Sequence, residues 1–96
     1  MSLFFVQHTH DAATCPAKDP KKGNMLLNHL QPQNARKFGV KLHADAVING
    51  KHSFNLILEA DDEENVSEFM RPFETAGSVN ILPASHCEKV VQREGC

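Results

Sequence analysis

Apolar and polar positions along the chain alternate between strand-like and helix-like periods, and they predict the element order β-α-β-β-α-β. The first strand is predicted over residues 3–10, where an apolar run leads into alternating polar side chains. Residues 11–19 are mostly polar and predict a loop. A helix is then expected to begin at Pro20 with Asp19 as its N-cap, and a second, shorter helix at Pro32, because proline suits the first helical position.

The middle of the chain predicts a β-hairpin. Residues 40–49 and 51–60 are two strand-like runs that meet at Asn49-Gly50, a dipeptide typical of tight two-residue turns. Such a turn pairs Val47 with His52, and it places His43 on the same face as the apolar residues of the second run. A further strand over 78–82 and a short C-terminal helix complete the pattern.

Two apolar stripes identify the faces by which the main helices are expected to pack. The stripe of the first helix comprises Met25, Leu26 and Leu30, and that of the second comprises Val66, Phe69, Met70 and Phe73. Gly77 is expected to close the second helix.

This order predicts a single α+β domain over residues 1–96, with a ferredoxin-like split βαβ arrangement. The four strands are expected to form an antiparallel sheet in the spatial order 4-1-3-2, with both helices on one face. Strand positions of both parities are apolar, which predicts that a second copy covers the other face in a homodimer. The sequence leaves open which parity meets the helices. In one assignment a pocket for a small apolar ligand lies between the sheet and its partner, lined by Phe4, Val6, Phe54, Leu56 and Leu58.

The element order resembles that of the dimeric α+β barrel superfamily of small ferredoxin-like proteins. The segment from Glu68 to Phe73, which runs into Gly77-Ser78-Val79 before the last strand, carries the same resemblance. Relatives of this kind include muconolactone isomerases, antibiotic-biosynthesis-type monooxygenases and small bacterial nickel-binding proteins. The resemblance implies the fold and a dimer, and it supplies no catalytic motif that can be matched to these residues.

Charge and composition exclude several classes of function. The net charge is −2, the pI is about 6.3, and the chain has no Trp or Tyr, so nothing indicates a nucleic-acid surface. No apolar run approaches the length of a membrane span, and the apolar run at residues 3–6 is too short for a signal peptide. Three cysteines are an odd number, which argues against a closed disulfide framework. Cytoplasmic localisation is therefore expected.

The most direct indication of chemistry is His8-Thr9-His10, followed by Cys15 in the predicted loop. Alternate residues of a strand share a face, so the two imidazoles point the same way. The expected strand order brings His52 to the same end of the sheet. His8, His10 and His52, with Cys15 as a fourth donor, thus predict a site for Zn, Ni, Cu or Fe. The alternative is that these histidines are ordinary polar residues near a subunit boundary.

The sequence is also compatible with a second function. The same fold could serve a monooxygenase or isomerase that acts on a small apolar substrate, with a pocket histidine such as His52 as acid or base. Cys87, at the start of the predicted terminal helix, could be an activated thiol or simply packed, and Cys96 could pair with it or lie in a free tail.

Overall fold

The computed structural model describes all 96 residues, and it contains one four-stranded antiparallel sheet. The strands are β1 (Ser2–His10), β2 (Val40–Val47), β3 (Ser53–Ala60) and β4 (Gly77–Ala84). Their spatial order is β2-β3-β1-β4, which is the order expected from the sequence. The central strand β1 pairs with both β3 and β4, so its side chains have neighbours on either side.

The helices are α1 (Pro20–His29), α2 (Pro32–Lys37), α3 (Glu63–Glu74) and α4 (Cys87–Gln92). Asp19 caps α1 as predicted, because its side chain accepts a 3.0 Å hydrogen bond from the backbone N–H of Lys21. Gly39 follows α2 with a φ of 72°, a conformation that glycine adopts without a steric penalty. None of the helices combines the length and apolar character that crossing a bilayer requires.

The core lies between the helices and one face of the sheet. Alternate residues of β1 and β3 point into it, and the apolar stripe of α3 covers them as predicted. Its twelve members are Phe4, Val6, Ala35, Val40, Phe54, Leu56, Leu58, Ala60, Val66, Phe69, Met70 and Phe73. Leu26 and Leu30 of α1 pack against this core, whereas Met25 is 70% exposed, so its predicted place in the stripe is wrong.

The predicted pocket lining therefore belongs to the core. Phe4, Val6, Phe54, Leu56 and Leu58 face the monomer's own helices and not a second copy. The opposite face of the sheet, which we call the open face, carries the intervening residues of the strands. Its apolar residues include Leu3, Phe5, Ile57 and Leu82. Both parities are apolar in the sequence, and only the packing of α3 distinguishes them.

The β2–β3 hairpin differs in register from the prediction. Val47 pairs with Phe54 and not with His52, because the connection between the strands is the longer segment 48–52. A β-bulge between Leu42 and Ala44 adds one residue to β2. As a result His43 lies towards the open face, away from Phe54 and Leu56, and the predicted shared face is wrong.

Gly77 begins β4 and does not close α3 as predicted. It pairs with His10 at the end of β1, where a Cβ on residue 77 would overlap with the carbonyl of Thr9. The absence of a side chain thus allows the two strands to approach each other at this end of the sheet.

Candidate metal centre

Three side chains with metal-binding donors converge at one end of the sheet. The imidazoles of His10 and His52 and the thiol of Cys15 each offer a donor atom, and these atoms lie within 4.8 Å of one another. His10 is the last residue of β1, and His52 immediately precedes β3. Cys15 lies between two short 3-10 turns in the loop that follows β1. All three residues are half-buried.

Backbone contacts place these residues together. The N–H of His10 donates a 2.9 Å hydrogen bond to the carbonyl of His52, which extends the β1–β3 ladder beyond Ser53. The two imidazole centroids are 5.4 Å apart. The loop is held to the start of β4 because the hydroxyl of Thr14 lies 3.2 Å from the carbonyl oxygen of Ala76 and donates to it. Cys15 therefore directly follows a loop residue that is hydrogen-bonded next to the start of β4.

His8 lies beneath the site and is completely buried. Its Nε2 is 2.8 Å from the carbonyl oxygen of Phe73, in the last turn of α3. Carbonyls at the end of a helix lack their usual partner within the helix, so this oxygen is available to accept. Since a carbonyl oxygen only accepts, the hydrogen-bond pattern assigns the proton of His8 to Nε2. The neutral ring then has a lone pair on Nδ1.

This arrangement determines the tautomer of His10. The Nδ1 atoms of His8 and His10 are 3.3 Å apart, so His10 donates from Nδ1 to the lone pair of His8. In neutral His10 the other nitrogen, Nε2, then carries a lone pair. That atom is buried and has no hydrogen-bond partner. A buried acceptor without a partner costs free energy, and a bound cation would satisfy it.

Electrostatics keep His10 in the form that binds metal. Burial lowers its pKa below the ordinary value of 6.5, and the neighbouring rings of His8 and His52 lower it further, while Asp11 opposes the shift. The imidazole therefore stays neutral to a lower pH than a free histidine does. Neutral imidazole is the form that coordinates metal ions.

Two imidazoles and a thiolate are a donor set suited to zinc and to other late transition metals. In a tetrahedral zinc site the donor atoms are separated by about 3.3–3.6 Å, given zinc–nitrogen bonds near 2.0–2.1 Å and zinc–sulfur bonds near 2.3 Å. The donor atoms, which lie within 4.8 Å of one another, would have to move closer together to reach that spacing. A groove lined by His10, His52 and Lys51, among others, opens beside two of the three residues.

The sequence predicted four site residues, and the structure brings three of them together. His10, His52 and Cys15 form the group. His8 lies on the same face of β1 as His10, but both of its ring nitrogens are in hydrogen bonds. The ligand assignments themselves stay predictions. The sequence carried no sign that the carbonyl of Phe73 would hold His8, because that contact joins residues 65 positions apart.

The other three histidines, His29, His43 and His86, lie elsewhere. His29 donates from Nε2 to the carbonyl of Phe69 over 2.7 Å and stacks on the Phe69 ring, so it has a structural role between α1 and α3. His43 contacts Glu59 towards the open face, away from the candidate metal centre.

Fold and site together define a small α+β protein with a His/Cys group that could hold a metal ion. The chain belongs to the family described as "Domain of unknown function (DUF3303)", whose profile matches residues 3–95. Comparison with curated proteins gives no significant match.

Proposed function

We propose that this protein binds one transition-metal ion through His10, His52 and Cys15. The observation that carries the proposal is the buried, unpartnered Nε2 of His10, a residue that belongs to a group with a second imidazole and a thiol. A solitary polar residue at a strand end would turn such an atom to water. Here the hydrogen bond to His8 fixes the ring from its other side.

In this proposal His8 is a positioning residue and not a ligand. Histidines that bind metals usually donate their second N–H to an acceptor, which orients the ring and raises its basicity. The chain from His10 through His8 to the carbonyl of Phe73 supplies that acceptor, and its far end is the negative end of a helix. These two hydrogen bonds thus connect His10 to the buried core. We propose sequestration or sensing of zinc, nickel or copper as the role of the site, because two imidazoles and a thiolate are donors that suit these metals.

Cobalt(II) replacing zinc tests the ligand set, because thiolate coordination adds a charge-transfer absorption in the near ultraviolet. We expect one equivalent of Co²⁺ to produce this band in protein purified without an affinity tag. Cys15→Ser should abolish the band, because the other two cysteines lie outside the group.

The other cysteines provide matched controls. Cys87→Ser and Cys96→Ser remove exposed thiols and should leave the band unchanged. A band that survives Cys15→Ser, or the absence of any band in the wild-type protein, would contradict the assignment of Cys15.

We also propose that a second copy of the chain covers the open face. Phe5 pairs with Ile57 on one side and with Leu82 on the other, which forms an apolar row across three strands. Ile57 is 39% and Leu82 44% exposed. The chain has 6597 Å² of accessible surface, whereas a monomer of 10.7 kDa is expected to expose about 5,500 Å². The excess is comparable with the area of roughly 800 Å² that each partner buries in a standard interface.

Sedimentation analysis tests this interface. The wild-type protein should sediment as a dimer, and Ile57→Lys with Leu82→Lys should sediment as a monomer, because two charges would be desolvated in the apolar row. Leu27→Lys is the control, since Leu27 is 61% exposed on α1. A monomeric wild-type protein, or a dimer that survives the double substitution, would exclude this interface.

A dimer through the open face would place the family within the dimeric α+β barrel superfamily, which we propose as its wider relationship. All three cysteines are free, which suits a reducing compartment, so we propose the cytoplasm as the site of action.

A further inference from the structure

We propose that His43, Glu59 and His86 form a second binding site for a divalent transition-metal ion. These residues take no part in the candidate metal centre. Two imidazoles and a carboxylate are a set of protein ligands found in zinc and iron sites.

The geometry around the carboxylate supports this. The Nε2 of His43 is 3.1 Å from Oε1 of Glu59, and the Nε2 of His86 is 3.6 Å from the same oxygen. These two distances bracket the spacing of about 3.3 Å between two ligand atoms of a tetrahedral zinc ion, whereas the nitrogens of the two imidazoles lie farther apart than the donors of the candidate metal centre. The ring centroids are 6.4 Å apart and the ring planes are nearly perpendicular, so the imidazoles approach the carboxylate from different directions. Binding requires the two rings to close on a common point.

Three separate elements deliver these side chains. His43 is the residue added by the β-bulge in β2, and bulges commonly redirect a side chain next to a functional site. Glu59 is on β3, and His86 immediately precedes α4. The site would therefore connect both strands of the hairpin with the residue that precedes the C-terminal helix.

The exposure and charge of the cluster indicate how tightly it would bind a metal ion relative to the candidate metal centre. The side chains of Glu59 and His43 are 23% and 32% exposed, and that of His86 is 62% exposed. The hydrogen bond from His43 is the main reason that the pKa of Glu59 is lowered, and His86 and Lys41 contribute, so the carboxylate is ionised at neutral pH. Lys41 and the nearby Lys89 repel a cation. Binding should accordingly be weaker here than at the candidate metal centre.

The two sites are too far apart to share an ion. Glu59 pairs with Leu3, while the candidate metal centre lies at His10. Seven residues of strand separate these levels by about 23 Å. The second site can therefore be lost without the first, and the first without the second.

Calorimetric titration with Zn²⁺ at neutral pH tests the proposal. We expect the wild-type protein to bind a weaker equivalent of zinc in addition to any tight one. His86→Ala and Glu59→Gln should each weaken that equivalent by at least about tenfold, because each removes a ligand. His86 is mostly exposed, so its replacement should leave the fold intact. The matched control is Glu68→Gln, which removes a carboxylate that is paired with Arg71 on the surface.

The outcomes separate the two sites. Loss of the weaker equivalent in His86→Ala and Glu59→Gln, but not in Glu68→Gln, supports the second site whether or not His10 binds metal. The same zinc stoichiometry and affinity in all four proteins would mean that the cluster is an ion pair only, and would overturn the proposal.

Discussion

His10→Ala is expected to weaken zinc binding at the candidate metal centre by more than about 100-fold. Loss of a group that only orients a ligand typically costs 10–100-fold in affinity, so loss of the ligand itself should cost more. The substitution also removes the only buried imidazole nitrogen that lacks a partner. Competition with a chelator of known zinc affinity measures the effect.

Two neighbouring variants make this result specific. Thr9→Ala changes an exposed side chain between the two histidines and should leave zinc affinity unchanged. His8→Phe keeps an aromatic ring in the core but cannot accept from Nδ1 of His10, so we expect an intermediate loss of about 10–100-fold. Equal zinc affinity in His10→Ala and the wild-type protein would refute the assignment of His10.

Gly77→Ala should destabilise the fold by about 3 kcal/mol, at the upper end of what an overpacked site costs. The added methyl group meets the backbone carbonyl of Thr9, and backbone cannot rotate away as a side chain can. Either β4 separates from β1 at this point or the end of β1 moves. Urea denaturation measures the change as a lower midpoint.

Gly95→Ala is the control for this substitution, because a Cβ at residue 95 has no atom within 4 Å. We expect its urea midpoint to match that of the wild-type protein. Since Gly77 pairs with His10, any Gly77→Ala protein that folds should also bind zinc more weakly. An unchanged midpoint in Gly77→Ala would mean that the two strands are less closely packed than the structure indicates.

The sequence was sufficient for the order of elements and of strands. Period-two alternation, the Asp19 cap and the stripe on α3 all report local preferences, and the structure confirms them. The topology then followed, because few arrangements accommodate two helices on one face of such a sheet.

The register of the hairpin, and the face of the sheet on which each residue lies, could not be predicted from the sequence in the same way. Asn49-Gly50 is a strong turn signal, but it does not distinguish a two-residue connection from a longer one that contains the same pair. The bulge at His43 has no signature in the sequence, and it reverses the face on which that residue lies. Both sheet faces are apolar, so only the packing of α3 reveals which residues form the core.

For the candidate metal centre, strand alternation and strand order were enough to bring His10 and His52 to one end of the sheet. The difference between His10 and His8 depends on the carbonyl of Phe73, which a distant helix presents. Sequence spacing treats the two histidines alike, whereas the hydrogen-bond chain gives them different roles.

X-ray absorption at the zinc edge, on protein loaded with one equivalent of zinc, identifies the ligands of the candidate metal centre. We expect one sulfur ligand at roughly 2.3 Å and two imidazole nitrogens at roughly 2.0–2.1 Å, with the remaining position filled by a light atom from solvent. A shell of oxygen and nitrogen without sulfur, or with a single imidazole, would contradict a site built from His10, His52 and Cys15.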